Sequence, residues 1–105
     1  MELIEIVIGN ETRKVRKLSA YQVSKLLGPG ARDLADIHVE MILASVVEPK
    51  FTREDVLAMS DDEEKYFALV IELERINEKG IRALGNYMLS SAHSQQTSKT
   101  NLNST

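Results

Sequence analysis

Asp33, Asp36 and Glu40 recur at i, i+3 and i+7, a spacing that lines three carboxylates along one face of a helix. Such a stripe could hold a divalent cation or do acid–base work. No Glu-x-x-His or His-x-x-Glu-His spacing completes such a site here, however. His38 stands two residues from Asp36 and points elsewhere, so the stripe reads as a solvated face and His38 as a hydrogen-bonded or partly exposed histidine. His93 receives no role. The acidic run Asp61-Asp62-Glu63-Glu64 lacks the alternating acids and glycine of a calcium loop. A helix N-terminus that favours negative charge accounts for it.

Arg13-Lys14-Val15-Arg16-Lys17 is the one basic cluster. Its charges would alternate faces in a strand, and an edge strand protected from pairing by Lys and Arg explains them as well as phosphate contact does. Gly28-Pro29-Gly30 lacks the Lys-Ser/Thr of a phosphate-binding loop and has no strand leading into it. No serine sits in a nucleophile elbow, and there is no cysteine, which removes disulfides, thiolate metal sites and a catalytic thiol. No catalytic residue, metal or cofactor is assigned, and an enzyme is not expected.

The elements that must carry these residues fit one domain of 105 residues. Apolar content is 43 % and charged content 28 %, ordinary for a globular chain. Aromatics are 5 % with no tryptophan, too few for a base-stacking platform. Apolar clusters such as Met41–Val47 are too short to span a bilayer, and Glu2 and Glu5 stand where a signal peptide carries Lys or Arg. A cytosolic protein is expected. Charge is uneven: residues 1–32 carry +3, residues 33–79 carry −8 and residues 80–105 carry +2. That dipolar pattern suits protein partners or self-association of unlike ends.

Residues 2–8 are rich in β-branched side chains, Gly9-Asn10 is a turn signal and residues 12–18 resume with Val15 and Leu18. The segment 2–18 therefore reads as a β-hairpin. Ser19 is the expected N-cap of a helix over 20–27, stopped by Gly28 as a left-handed C′ residue and by Pro29. The next helix is expected over 32–47. It is apolar nearly all round and therefore central, and Pro49 stops it. Thr52 with Asp55 begins a short helix over 53–58, and Ser60 with Glu63 caps a helix over 61–79.

In that last helix Tyr66, Leu69, Val70, Leu73 and Ile76 form one stripe, with Phe67 and Ile71 about 100° away. Gly80 is expected to interrupt it, with Leu84, Tyr87 and Met88 continuing the stripe if the helix resumes. From Ser90 the chain turns polar, and a disordered tail is expected over 90–105. The fold class is thus mainly α (α+β): a small helical bundle in one domain, 1–89, with an N-terminal hairpin and a tail.

One stripe per helix cannot hide every apolar group. Phe51, Leu57, Met59, Phe67 and Ile71 are the surplus, and they either close the core around the Pro49 bend or form a patch for a partner.

The run Val47-Glu48-Pro49-Lys50-Phe51-Thr52-Arg53-Glu54-Asp55-Val56-Leu57 resembles the tail assembly chaperones of long-tailed bacteriophages and prophages. The first helix, LSAYQVSKLL at 18–27, and the helix from Glu63 to Glu78, with its spacing from Leu69 to Ile76, extend the likeness over residues 15–79. The segment from Gly80 onward departs from it. The resemblance implies binding without catalysis. Such proteins coat the tape-measure protein before the tail tube closes and recruit tail tube subunits, and many have a longer frameshifted form. It implies action in the cytoplasm of the bacterial host and absence from the mature virion. The expected partners are the tape-measure and tail tube proteins, with self-association a further option and no membrane. A helix-in-groove contact through Phe51, Leu57, Phe67 and Ile71 is the expected mode. The rival reading is a small regulatory protein that binds nucleic acid through Arg13, Lys14, Arg16 and Lys17.

Overall fold

Five helices and a three-stranded antiparallel sheet make up the chain in a computed structural model that describes residues 2–28, 30 and 33–104, with side chains described through Ser91. Strands β1 (Leu3–Ile8) and β2 (Glu11–Arg16) pair with Ile8 opposite Glu11, so a two-residue turn joins them. Gly9 has φ +62° and no other turn residue is positive, the pattern of a type II′ turn with glycine first. Ile6, Ile8 and Val15 are buried and Ile4 is half-buried, whereas Leu3, Glu5 and Val7 face outward.

Helix α1 (Ala20–Leu27) begins as expected at Ser19. The capping box is reciprocal: Ser19 Oγ accepts from Gln22 N at 3.2 Å and Gln22 Oε1 accepts from Ser19 N at 3.0 Å. Its end needs glycine for a different reason than expected. Gly28 has φ −72°, ordinary for any residue, but a Cβ there would lie 2.4 Å from the Ser24 carbonyl oxygen. The left-handed residue is Gly30, with φ +79°.

Helix α2 (Leu34–Ser45) starts at Asp33, whose Oδ1 accepts from Asp36 N at 3.0 Å. Two of the three striped carboxylates are thereby explained, since Asp33 caps and Asp36 lies in the first turn. The helix stops two residues before the expected end, and Val46–Glu48 form β3 instead. β3 pairs antiparallel with β2, placing Val46 opposite Val15 and Glu48 opposite Lys14. Val46 and Glu48 gain partners on β2 that way, and the hairpin becomes a sheet with order β1-β2-β3. β2 is therefore the central strand, and its Arg and Lys residues do not guard an edge. Arg16 donates from Nε to Ala44 O at 2.9 Å, satisfying a carbonyl at the negative end of α2.

Helix α3 (Arg53–Met59) has the expected capping box between Thr52 and Asp55. Helix α4 (Glu63–Ile76) is capped by Asp62, whose Oδ1 accepts from Lys65 N, and not by Ser60, which closes α3. Tyr66, Leu69, Val70 and Leu73 are buried along the predicted stripe.

The break after α4 falls at Asn77, not Gly80. Asn77 is 1 % exposed and its side chain bridges two segments: Oδ1 accepts from Leu18 N at 2.8 Å and Nδ2 donates to Leu73 O at 2.9 Å. Helix α5 (Glu78–Ser104) follows, and Gly80 lies inside it. A Cβ on Gly80 would sit 3.4 Å from Val23, so glycine there marks the close approach of α1 and α5. Ser90 and Ser91, the first residues of the tail expected over 90–105, are helical and exposed on α5, and the side chains beyond Ser91 lie outside the described residues.

The core runs between the sheet and the helices. Val15, Val46 and Ile42 are wholly enclosed on the sheet side, and Val56, Leu69, Val70 and Leu73 on the helical side. Helix α2 packs against α1, α3, α4 and β3, the central place its all-round apolarity predicts. Among the described residues no helix is long and apolar enough to cross a membrane.

Candidate functional site

With Tyr66, Leu69, Val70 and Leu73 turned inward, the α-helical repeat turns Phe67 and Ile71 outward. They are 51 % and 64 % exposed, one turn apart on α4. On the neighbouring helix α2, burial of Val39, Met41 and Ile42 leaves Leu34 67 % exposed, with Ile37 and His38 half-buried. His38 joins the two helices. Its ring stands edge-to-face with Phe67, centroids 6.5 Å apart and planes at 85°, and its Nε2 lies 3.9 Å from Glu74 Oε1. Phe67 in turn stands edge-to-face with the buried Tyr66 at 5.4 Å, so both contacts hold the ring upright at the surface. Burial raises the pKa of the Tyr66 phenol, which stays neutral.

His38 and Glu74 also line a cleft of about 180 Å³ between α1, α2 and the start of α5. Its walls are apolar, formed chiefly by Leu26, Leu27, Leu34, Ile37, Met41 and Ile81. The exposed pair on α4 and this cleft thus form one apolar surface that passes through His38, with the half-exposed carboxylate of Glu74 beside it. An amphipathic helix with apolar residues at i, i+3, i+4 and i+7 matches such a surface.

The five expected partner-binding residues separate. Phe67 and Ile71 are together on this face. Leu57 is also exposed, at 52 %, but on α3. Met59 is partly buried against the core. Phe51 is buried, 8 % exposed, under the guanidinium of Arg13, whose Cζ stands 3.8 Å from the ring centroid. Phe51 is therefore part of the core at the Pro49 bend and offers no free surface.

The basic strand is engaged within the fold. Arg13 Nη1 donates to Pro49 O at 2.7 Å and Nη2 to Glu11 Oε2 at 3.2 Å. Glu11 also accepts from Lys65 Nζ at 2.8 Å, and these two hydrogen bonds, Lys65 first, lower its pKa. Lys14 stands opposite Glu5 on one side and Glu48 on the other. With Arg16 on the Ala44 carbonyl, the two arginines of the cluster are tied within the fold, while Lys14 and Lys17 are exposed. Among the carboxylates, Glu40 pairs with Arg53 across α2 and α3, which raises the Arg53 pKa through the hydrogen bond. Among the described residues no three metal-ligating side chains come together.

Sequence reasoning found Phe67 and Ile71 from their angular offset. It missed the exposure of Leu34, which lies in the helix read as apolar nearly all round, and the joining role of His38, whose signal was one imidazole on an apolar helix. Compared with family models, curated proteins and solved structures, the chain matches none.

Proposed function

We propose that this protein is a tail assembly chaperone of a long-tailed bacteriophage or prophage, binding the tape-measure protein and recruiting tail tube subunits during tail assembly. The observation that carries the reading is the apolar surface of Phe67, Ile71 and Leu34 running into the α1–α2–α5 cleft. It accompanies the likeness over residues 15–79. A chaperone for a long helical client needs a rigid frame that holds apolar side chains out of its own core. Tyr66 and His38 give Phe67 such a support. Weak single contacts multiplied over many copies allow both retention and release. Phe67, Ile71 and Leu34 lie within the segment of net charge −8, so client segments with basic residues beside their apolar stripe suit the surface best. In this reading the protein works in the host cytoplasm and leaves before the virion matures.

The test is capture of a purified tape-measure fragment by the wild-type chain and by the double variant Phe67→Asp, Ile71→Asp. Both substitutions are at the surface, so far-UV circular dichroism should be unchanged. Capture should fall at least about tenfold, the effect of losing roughly 1.4 kcal/mol of apolar contact. It should also persist in high salt, where phosphate-driven binding weakens steeply. Undiminished capture by the double variant would reject the surface.

A further inference from the structure

The sheet has two edges, and only one of them is protected. β3 is three residues long and is followed by Pro49, which has no N–H to offer. β1 is six residues, LIEIVI, with no proline, no lysine and an unbroken register against β2. Because the two-residue turn makes Ile8 and Glu11 a hydrogen-bonded pair, Ile4, Ile6 and Ile8 direct their backbone groups to β2. Leu3, Glu5 and Val7 direct theirs away from it. Among the described residues no backbone hydrogen bond outside the β1–β2 ladder reaches β1.

We propose that β1 pairs with β1 of a second copy of this chain, antiparallel about a two-fold axis, joining two three-stranded sheets into one of six strands. The strand's own pattern names the occupant. Only registers that keep even residues opposite even residues preserve the buried face. Two of these use five residue pairs. One sets Glu5 against the other Glu5, a like-charge pair directly opposite. The other sets Ile6 against Ile6, Ile4 against Ile8, and Glu5 against Val7. In that register isoleucines meet on the core side and neither carboxylate faces another. The outward backbone groups of Glu5 and Val7 then bond each other twice across the axis. Val7, 64 % exposed in the single chain, gains a neighbouring strand. The pairing uses the backbone edge of β1 and does not depend on the identity of the client.

Sedimentation equilibrium of the full chain, with Val7→Glu and Val7→Lys variants, tests the edge and the register together. Val7 stands opposite Thr12 within the hairpin, so both variants should keep the wild-type dichroism. The wild-type chain should dimerise with rising concentration. Val7→Glu, set against Glu5, should raise the dimer dissociation constant at least about tenfold, while Val7→Lys, set against the same carboxylate, should leave it unchanged or lower it. Because the chain has no cysteine, a mixture of Glu5→Cys and Val7→Cys chains should oxidise to a mixed disulfide faster than either chain alone. A wild-type chain that stays monomeric at millimolar concentration overturns the proposal, as do Val7→Glu and Val7→Lys variants that behave alike.

Discussion

Asn77 Oδ1 accepts the backbone N–H of Leu18 at 2.8 Å, joining the α4–α5 junction to the segment between β2 and α1 across 59 residues of chain. The same side chain returns its Nδ2 to Leu73 O, so an enclosed amide is satisfied at both ends. Asn77→Ala would leave the Leu18 N–H buried without a partner. Urea unfolding should show a loss of about 2–3 kcal/mol. Asn77→Asp keeps the acceptor but replaces the donor and buries a charge, so it should also destabilise, and most at neutral pH.

Among the described residues Ser45 is the other enclosed polar side chain, and its hydroxyl has no partner. Removing a polar atom that makes no hydrogen bond relieves a desolvation cost without breaking anything. Ser45→Ala should therefore match or exceed wild-type stability in the same urea titration, opposite in sign to Asn77→Ala.

These two residues show where the sequence is legible. Helices α1 and α3 could be read because their starts are local: Ser19 with Gln22, and Thr52 with Asp55, sit within one turn of each other. The inward stripe of α4 and the outward offset of Phe67 and Ile71 were equally local, a matter of angular spacing. The end of α2 was not. Val46 and Val47 suit helix and strand alike, and the pairing of Val46 with Val15 and of Glu48 with Lys14, over 30 residues earlier, decides between them. The break at Asn77 depends on Leu18 in the same way. Phe51 could not be placed because its cover, Arg13, comes from the central strand.

The glycines make a graded series. Gly85 is inside α5 with nothing within 4 Å of an added Cβ, so Gly85→Ala should raise stability by about 0.5–1 kcal/mol through helix propensity. Gly28→Ala should lower it by at least about 1 kcal/mol, because the methyl would collide with the Ser24 backbone carbonyl, which cannot rotate away. Thermal melts of the two variants should shift in opposite directions.

Phe51 and Phe67 should part in the same kind of measurement. Phe51→Ala empties a buried site and removes the ring beneath Arg13, a loss of about 3 kcal/mol or more. Phe67→Ala removes a half-exposed ring and should cost under about 1 kcal/mol. Client capture should respond the other way, falling for Phe67→Ala in its folded state. A Phe51→Ala chain that stays as stable as wild type would contradict the buried placement.

Glu11 pairs with Lys65, which fixes the hairpin turn to α4, and with Arg13 on its own strand, and the two pairs set a pH dependence of definite sign. The folded state holds the Glu11 carboxyl below its ordinary value, the Lys65 hydrogen bond being the larger cause. Its stabilisation is therefore complete at neutral pH. It is lost as pH falls through the ordinary carboxylate range to the lower folded value. Glu11 is 45 % exposed, so solvent screening limits the effect to under about 1 kcal/mol. Glu11→Gln should be less stable than wild type at pH 7 by that amount, and the two urea curves should converge at strongly acidic pH. Salt should narrow the gap at pH 7, since an exposed pair is screened at 1 M. A gap that widened on acidification would show that Glu11 stabilises the protein through something other than its charge.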